Sequence, residues 1–412
     1  MTNIVESTAS GSVKRKKKKP WWSIRNPKNI DGLIMFAICL LALFGSIMVA
    51  SASMGVPQEY TIGALLKASI KPLVYSAIGF VLMCWAAAHF SMNIFKSGRL
   101  LIVAGGAILA LLFCLMFPAV NNARGWIQIP GLKWTIQPSE FTKTVAVLVV
   151  AWYLGDRKKP EKNWFFLVYK PILYIMIVCF IIMVLQNDTG SALVIFLISC
   201  VCMLIPENDQ LKGFQFFLRT CFWMLVALLI FLLVTPAGEK IIDALPLQDY
   251  QKYRFTSAIN PFEDEHNYGY QLISGLTAFA SGGMFGNGFG NSIHKYMNFP
   301  QADSDYILAI LVDELGFAGF LVLMAAYCAV IYRLFYYALK MRSDKGRIIL
   351  IGTAMYLVFH IFLNIGGVTG LIPLTGVPLP LISAGGSSTL SVMFAIGICQ
   401  AVIAAFRNGE LL

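Results

Sequence analysis

The chain has 412 residues, of which 58% are hydrophobic and only 13% charged, with a net charge of +11. A soluble chain carries roughly a quarter charged residues, so composition excludes an ordinary soluble globular protein and points to an all-α polytopic membrane protein. The positive charge does not imply nucleic acid. Its densest run, Lys14 to Lys19, stands just before the first apolar run with no soluble domain beside it. Next to a membrane, such a cluster reads as a contact with anionic lipids and as an orientation signal.

Residues 1–29 read as a basic, disordered cytoplasmic tail, too long and polar for a signal peptide. Ten apolar runs long enough to cross a bilayer follow, at about 30–51, 72–90, 100–120, 139–155, 165–185, 189–205, 214–235, 306–332, 348–368 and 379–406. Tight turns join two pairs of them, at Gln186–Thr189 and Pro373–Pro378. With the N-terminus inside, most of the 32 Lys and Arg fall on inner segments. That bias predicts cytoplasmic termini, an even number of spans and an extracytoplasmic 236–305 loop between helices 7 and 8. The membrane domain covers 30–408, and 409–412 form a short inner tail. All nine cysteines lie inside apolar runs without CxxC spacing, so they read as small buried hydrophobes rather than disulfides or metal ligands.

In chain order, Arg124-Gly-Trp126 places a cation and an aromatic on the outer surface, either to grip a phosphate and a sugar or to anchor at the interface. Gln137-Pro-Ser139-Glu140, with Lys143, opens the fourth span. Pro138 suits a helix start, and Glu140 and Lys143 are spaced for an intrahelical ion pair. Asp188-Thr-Gly-Ser191 is a tight outer turn. The 236–305 loop is rich in aromatic residues and glycine and is expected to fold, with a short amphipathic interfacial helix from Gly269 to Ala280. Ser281-Gly-Gly283 and Gly286-Asn-Gly-Phe-Gly290 offer backbone N–H groups to a phosphate, or a tight re-entrant turn. The loop ends in Asp303-Ser-Asp305. From position alone Asp305 is a helix cap or, partly desolvated, a general base, with Asp303 a second candidate. Glu314 lies inside the next span and needs a cavity or a partner. The four histidines have no ligand spacing, so no metal is assigned.

These residues resemble the SEDS family, the FtsW/RodA/SpoVE proteins. The closing stretch Asn364-Ile-Gly-Gly-Val-Thr-Gly-Leu-Ile-Pro-Leu-Thr-Gly-Val-Pro-Leu-Pro-Leu-Ile-Ser-Ala-Gly-Gly-Ser-Ser388 is similar to that family's signature and includes Ser383, Gly385 and Gly386. The Arg124, Gln137 and Asp188 blocks agree in order. So do Tyr253-Arg-Phe, Asn260-Pro-Phe, Gly269-Tyr-Gln, Ser281-Gly-Gly, Gly288-Phe-Gly-Asn-Ser, Asp305-Tyr-Ile and Glu314-Leu-Gly. The resemblance covers residues 30–408. It implies a ten-span enzyme that polymerises lipid II beside a class B penicillin-binding protein, among other divisome or elongasome membrane proteins. It also implies Asp305 as the catalytic base, with Arg124, Lys143, Arg254 and Lys295 as candidates for the pyrophosphate and Gln137, Ser139 and Glu140 beside them. Asp188, Asp303, Glu314, Ser383, Gly385 and Gly386 are expected to support the site. A divalent cation bridging Asp305 and pyrophosphate stays open, although no ligand cluster predicts one. The family often has Pro-Glu-Ala-His-Thr-Asp where this chain has Pro300-Gln-Ala-Asp-Ser-Asp305, and a proline where it has Asn187. Met48-Val-Ala-Ser-Ala-Ser-Met54 and the basic tail look more like the division branch than the elongation branch. A lipid II flippase and a non-catalytic scaffold are the competing readings.

Overall fold

The computed structural model describes residues 27–54, 62–120, 123–129, 134–157, 163–244, 249–267, 269–296 and 299–411. The basic run Lys14–Lys19 lies outside them. The chain is mostly helical. The helices are α1 (Gly32–Ser53), α2 (Ile62–His89), α3 (Arg99–Phe113), α4 (Pro138–Leu154), α5 (Trp164–Phe180), α6 (Thr189–Leu204), α7 (Lys212–Val234), α8 (Pro236–Ala244), α9 (Asp249–Ile259), α10 (Tyr270–Gly282), α11 (Ile307–Lys340), α12 (Asp344–Val368) and α13 (Gly386–Arg407). The expectation of helix alone misses one small antiparallel hairpin, β1 (Ile127–Ile129) with β2 (Trp134–Ile136). Each apolar run read from the sequence carries a helix. Eight helices among the described residues are long and apolar enough to cross a membrane. The helices α4 and α6, with 17 and 16 residues, are shorter.

Two helices form the centre: α12 and α13 are buried over most of their length, whereas the apolar window of α7 is not buried at all. Helix α13 packs closely on α2, where a Cβ on Gly397 would lie 2.3 Å from the Met83 carbonyl. Only hydrogen fits at that crossing, the small-residue device by which apolar helices approach. At the end of the bundle away from Asp305, the buried Asp31 caps α1 through the Ile34 N–H (3.0 Å). Its carboxylate also receives Tyr337 (2.7 Å), Arg407 (3.2 Å) and Arg333. One acid thus ties the start of α1 to α11 and α13.

Sequence and structure part ways at the last span. The apolar run begins near 379, yet α13 begins at Gly386. Pro373, Pro378 and Pro380 lack the N–H a helix needs, and Leu381 adopts φ 64°. The proposed tight turn at Pro373–Pro378 is therefore part of a longer irregular strap, residues 371–385. Irregular backbone at membrane depth requires partners, and side chains supply them. Asn364 Nδ2 donates to Val377 O (3.1 Å), Ser383 Oγ accepts from Leu379 N (2.8 Å) and Tyr327 donates to Pro380 O.

The 236–305 loop folds, as its composition predicts, into α8, α9, α10 and short turns. Helix α10 is not simply interfacial, because it packs on α11 with Leu272, Gly275, Ala278 and Gly282 buried. Within α11, Gly316 breaks the helix at φ 70° and ψ −173°. The glycine stretch completes the broken ladder. Asn287 N and Gly288 N donate to Asp313 O and Glu314 O (2.9 and 3.0 Å), while Gly283 O and Met284 O accept from Phe317 N and Ala318 N (2.9 and 3.0 Å). Asp313 adds side-chain bonds from Ser281, Ser292 and Asn287. The phosphate-cradle reading of these glycines is thereby replaced: they splice a helix and line none of the cavities described below.

Candidate active site

The strap, the turn before α11 and the loop helix α9 meet around a cavity of about 670 Å³. Its wall includes Trp126, Gln137, Asp188, Tyr253, Arg254, Gln271, Asp305 and Gly376. Asp305 is half-buried. Helix α11 starts at Ile307 with Tyr306 as N-cap and no side-chain capping bond, so Asp305 does not serve as its cap. Burial pushes its carboxyl up to about 6, with Arg254 pulling it down and Asp303 adding to the rise. A carboxylate so placed accepts a proton near neutral pH. A Cβ on Gly376 would lie 3.8 Å from Arg254 Nη2 and 3.9 Å from Asp305 Oδ2. Cation and carboxylate therefore lie close together beside this glycine. Asn364 holds the arrangement from below, donating to Asp305 O (3.0 Å) as well as to Val377 O.

Gly376 has φ 70°, and the left-handed region costs an L side chain about 1–2 kcal/mol. Gly376→Ala strains the strap and puts a methyl beside Arg254 and Asp305. Activity is expected to fall about 10²-fold, the scale of a 1 Å misplacement of reacting groups, in a protein that still purifies as a folded monodisperse species. An unchanged turnover rate would contradict this geometry.

An apolar groove of about 510 Å³ adjoins the cavity, sharing Thr189, Gly190 and Arg254 with it and running down past Leu193, Phe196 and Leu229. The first turns of α4 and α6 close the cavity on another side. Asp188 caps α6 through Ser191 N (3.0 Å) and accepts from Gln137 Nε2 (2.9 Å). The preceding Asn187 has φ 59°, a value closed to proline.

The FtsW/RodA/SpoVE family model, described as "Cell cycle protein", matches residues 31–408. The chain belongs to this family. It is 34% identical over 383 residues to the "Probable peptidoglycan glycosyltransferase FtsW" of Bacillus subtilis (strain 168), covering 90% of each chain. The protein of the same name from Coxiella burnetii is 32% identical over 375 residues, covering 89% of this chain and 94% of that one. Among solved structures, one chain of a "peptidoglycan synthase complex" that coordinates "polymerization and crosslinking" aligns with a TM-score of 0.67 and 23% identity, over 92% of this chain and 98% of that one. The "Rod shape determining protein RodA" of Thermus thermophilus aligns with a TM-score of 0.63 and 22% identity over the same shares. The SEDS fold and a multi-pass membrane protein follow.

Of the residues expected to bind pyrophosphate in this SEDS chain, the structure brings Arg254 and Gln137 to the cavity with Asp305. It does not bring the others. Lys143 is buried and bonded to Glu140 Oε1 (2.5 Å) and His360 Nε2 (2.9 Å). Tyr356 donates to the second Glu140 oxygen (3.0 Å). His360 Nδ1 lies 3.1 Å from Pro378 O, an acceptor only, so Nδ1 carries the proton and Nε2 accepts from Lys143. The pair thus braces the strap from behind. Ser139 is buried against Ser191 (3.4 Å). Arg124 is exposed, and its neighbours Ala123 and Trp126 form the cavity wall instead. Among the described residues, no group of three or more His, Cys, Asp or Glu could hold a metal ion.

Lys295 also leaves the pyrophosphate set. It is fully buried and paired with Glu314 (2.9 Å), whose two oxygens also accept from Ser51 Oγ (2.7 and 2.8 Å). This joins the loop, α11 and α1. Removing one partner of a buried pair costs about 3–5 kcal/mol. Lys295→Met is therefore expected to lower thermal stability sharply, and Lys295→Met with Glu314→Gln to recover most of the loss. Equal melting temperatures for the single and double variants would show that the charge is not the cause.

The remaining supporting residues work through the strap. Ser383 Oγ donates to Ser304 O (2.7 Å) and Ala384 N to Asp303 O (2.8 Å). Gly386 packs so tightly on Tyr75 that a Cβ there would approach within 2.5 Å. Sequence reasoning missed Gly376 and Asn364 as individual positions. An amide inside an apolar span is costly for the same reason that singled out Glu314, and that signal was present for Asn364.

Proposed function

We propose that this SEDS protein polymerises lipid II at the outer face of the cytoplasmic membrane, with Asp305 as general base. The observation that carries the reading is the half-buried Asp305 carboxylate close to the Arg254 guanidinium in a polar cavity that runs into an apolar groove. The groove suits a prenyl chain and the cavity a pyrophosphate-linked sugar. Asp305 takes the proton of the acceptor GlcNAc 4-hydroxyl. That oxygen forms a bond to the anomeric carbon of the donor as the bond from that carbon to the pyrophosphate oxygen breaks. Lipid-linked pyrophosphate leaves with the electron pair, and Arg254 stabilises the growing negative charge. The names of the relatives carry the same reaction class.

The wider reading is a ten-span chain with cytoplasmic termini, α4 and α6 included, whose basic tail meets anionic lipid. It acts at the septum beside a class B penicillin-binding protein. The flippase alternative gains no specific support: Glu140, Lys143 and His360 are sealed in mutual contact and line no described cavity. The test is incubation of the purified protein and its transpeptidase partner with lipid II. A ladder of glycan products is expected; translocation across vesicles without polymer would overturn the reading.

A further inference from the structure

The cation cluster at the Asp31 end of the bundle takes no part in the chemistry above. Its depth follows from two contacts. The α1 stretch from Asp31 to Ser51 and the α11 stretch from Glu314 to Arg333 lie side by side. Ser51 joins Glu314 at one end and Asp31 joins Arg333 at the other. Each stretch is roughly 30 Å long at 1.5 Å per residue, the thickness of a bilayer's hydrocarbon core. Asp31 and Arg333 therefore stand where acyl chains give way to headgroups.

Three cations crowd this boundary around one buried acid. Arg333 and Arg407 share the Asp31 carboxylate. Arg407 directs its other donors to Asn29 O, Ile30 O and Tyr337. Arg333 gives Nε and Nη2 to Asp31, and no acceptor among the described residues takes its Nη1. Lys340 folds back along α11 to donate to Tyr336 Oη (2.5 Å), with its ammonium 4.1 Å from the centre of that ring. Long side chains on a helix lean towards its N-terminus, which here means towards the membrane. Arg333 lies over the same ring at 5.1 Å. No carboxylate among the described residues pairs with Lys340.

A charge that merely orients a span needs no such arrangement, since a solvated lysine serves. Here two cations are held on one ring with donors to spare, and their mutual repulsion is offset by a single shared acid. The surface at the same level is apolar and exposed, with Tyr332 on α11 and Leu33 and Phe36 on α1. Cations fixed at headgroup depth over exposed apolar side chains are the complement of a phosphodiester that carries acyl chains.

We propose that Arg333 and Lys340 form a binding site for the headgroup phosphate of an anionic phospholipid, whose chains run past Tyr332. This end is the cytoplasmic one on the topology proposed above, which makes the lipid one of the inner leaflet.

The test uses the full-length protein in nanodiscs of phosphatidylcholine with a minor share of phosphatidylglycerol. Both leaflets are alike there, so the outcome does not depend on the topology. Photo-reactive benzoylphenylalanine replaces Tyr332 or, as a reference on α3, the exposed Leu109. Relative to their proportions, phosphatidylglycerol is expected to be captured about tenfold over phosphatidylcholine at Tyr332, the value of one charge-assisted contact. At Leu109 the two are expected to be captured alike. Lys340→Ala is expected to remove most of the preference and Lys340→Arg to restore it. Lys340 is exposed, so the fold tolerates its loss. Alanine in place of Lys14–Lys19 is expected to leave the preference intact, as is added inorganic phosphate at constant ionic strength. Equal capture of the two lipids at Tyr332, or a preference that survives Lys340→Ala, would overturn the site. A preference lost with the tail lysines would assign it to the tail, and one abolished by inorganic phosphate would make this a site for the free anion; either result overturns the lipid assignment.

Discussion

Asp305→Asn is expected to lower the rate of glycan polymerisation by about 10²–10⁴-fold, the usual contribution of a positioned general base. The same substitution is expected to raise the melting temperature. Burial holds the Asp305 carboxyl at about 6, above its ordinary value, so folding at neutral pH forces an ionised carboxylate into a site that disfavours it. The native protein bears this penalty above about pH 6. It fades as pH falls and the folded protein takes up the proton. The stability gain from asparagine should therefore be full at pH 7.5, shrink as pH falls below about 6 and vanish only below the ordinary carboxylate value of 3.8. Activity runs the opposite way: wild-type polymerisation should fall with an acid limb near pH 6, because only the ionised form accepts the hydroxyl proton. Paired melting curves and initial rates across pH 4.5–8 check both. A variant that is inactive but melts like wild type at pH 7.5 would argue that Asp305 is ionised without strain.

Arg254→Ala is expected to cut turnover by about 10²–10³-fold, the scale for losing one donor aimed at developing charge. Its second effect separates it from a general loss of structure. Arg254 pulls the Asp305 carboxyl down. Without it, the carboxyl rises further, and the acid limb of the rate profile moves to higher pH. Arg254→Lys keeps the charge but not the planar fork, so the limb should stay closer to wild type while turnover remains low. A profile unmoved in Arg254→Ala would separate the two groups and place the pyrophosphate elsewhere.

Much of this arrangement was legible in the sequence. The helices coincide with the apolar runs, because a span's composition is nearly its whole specification. The ordered motif blocks led to Asp305, which the structure places in the polar cavity. The errors share a physical cause. Arg124, Lys143, Arg254 and Lys295 are equivalent as charges in a sequence, and only the tertiary partners separate them. Lys143 and Lys295 find buried carboxylates in the fold, whereas Arg254 reaches the cavity. Spacing revealed the Glu140–Lys143 pair, because its partners lie one turn apart. It could not reveal Lys295 with Glu314, which are joined only by the way the loop returns to α11. The strap was hidden for a related reason. Its residues are as apolar as a helix, and only its prolines, its own Ser383 and the distant Asn364 and Tyr327 show that it is not helical.

The splice at Gly316 has a consequence for the order in which the molecule is made. The segment that completes the break, Gly283–Gly288, precedes it in the chain, and its contacts with Asp313–Ala318 span 26 to 34 residues. Closure entropy grows only slowly with loop length, by about 0.6 kcal/mol per doubling. As the chain emerges, the patch is available before the helix that requires it. The lower part of α11 can then form against a template already waiting, rather than carrying four unsatisfied backbone groups through the membrane until the rest of the bundle arrives.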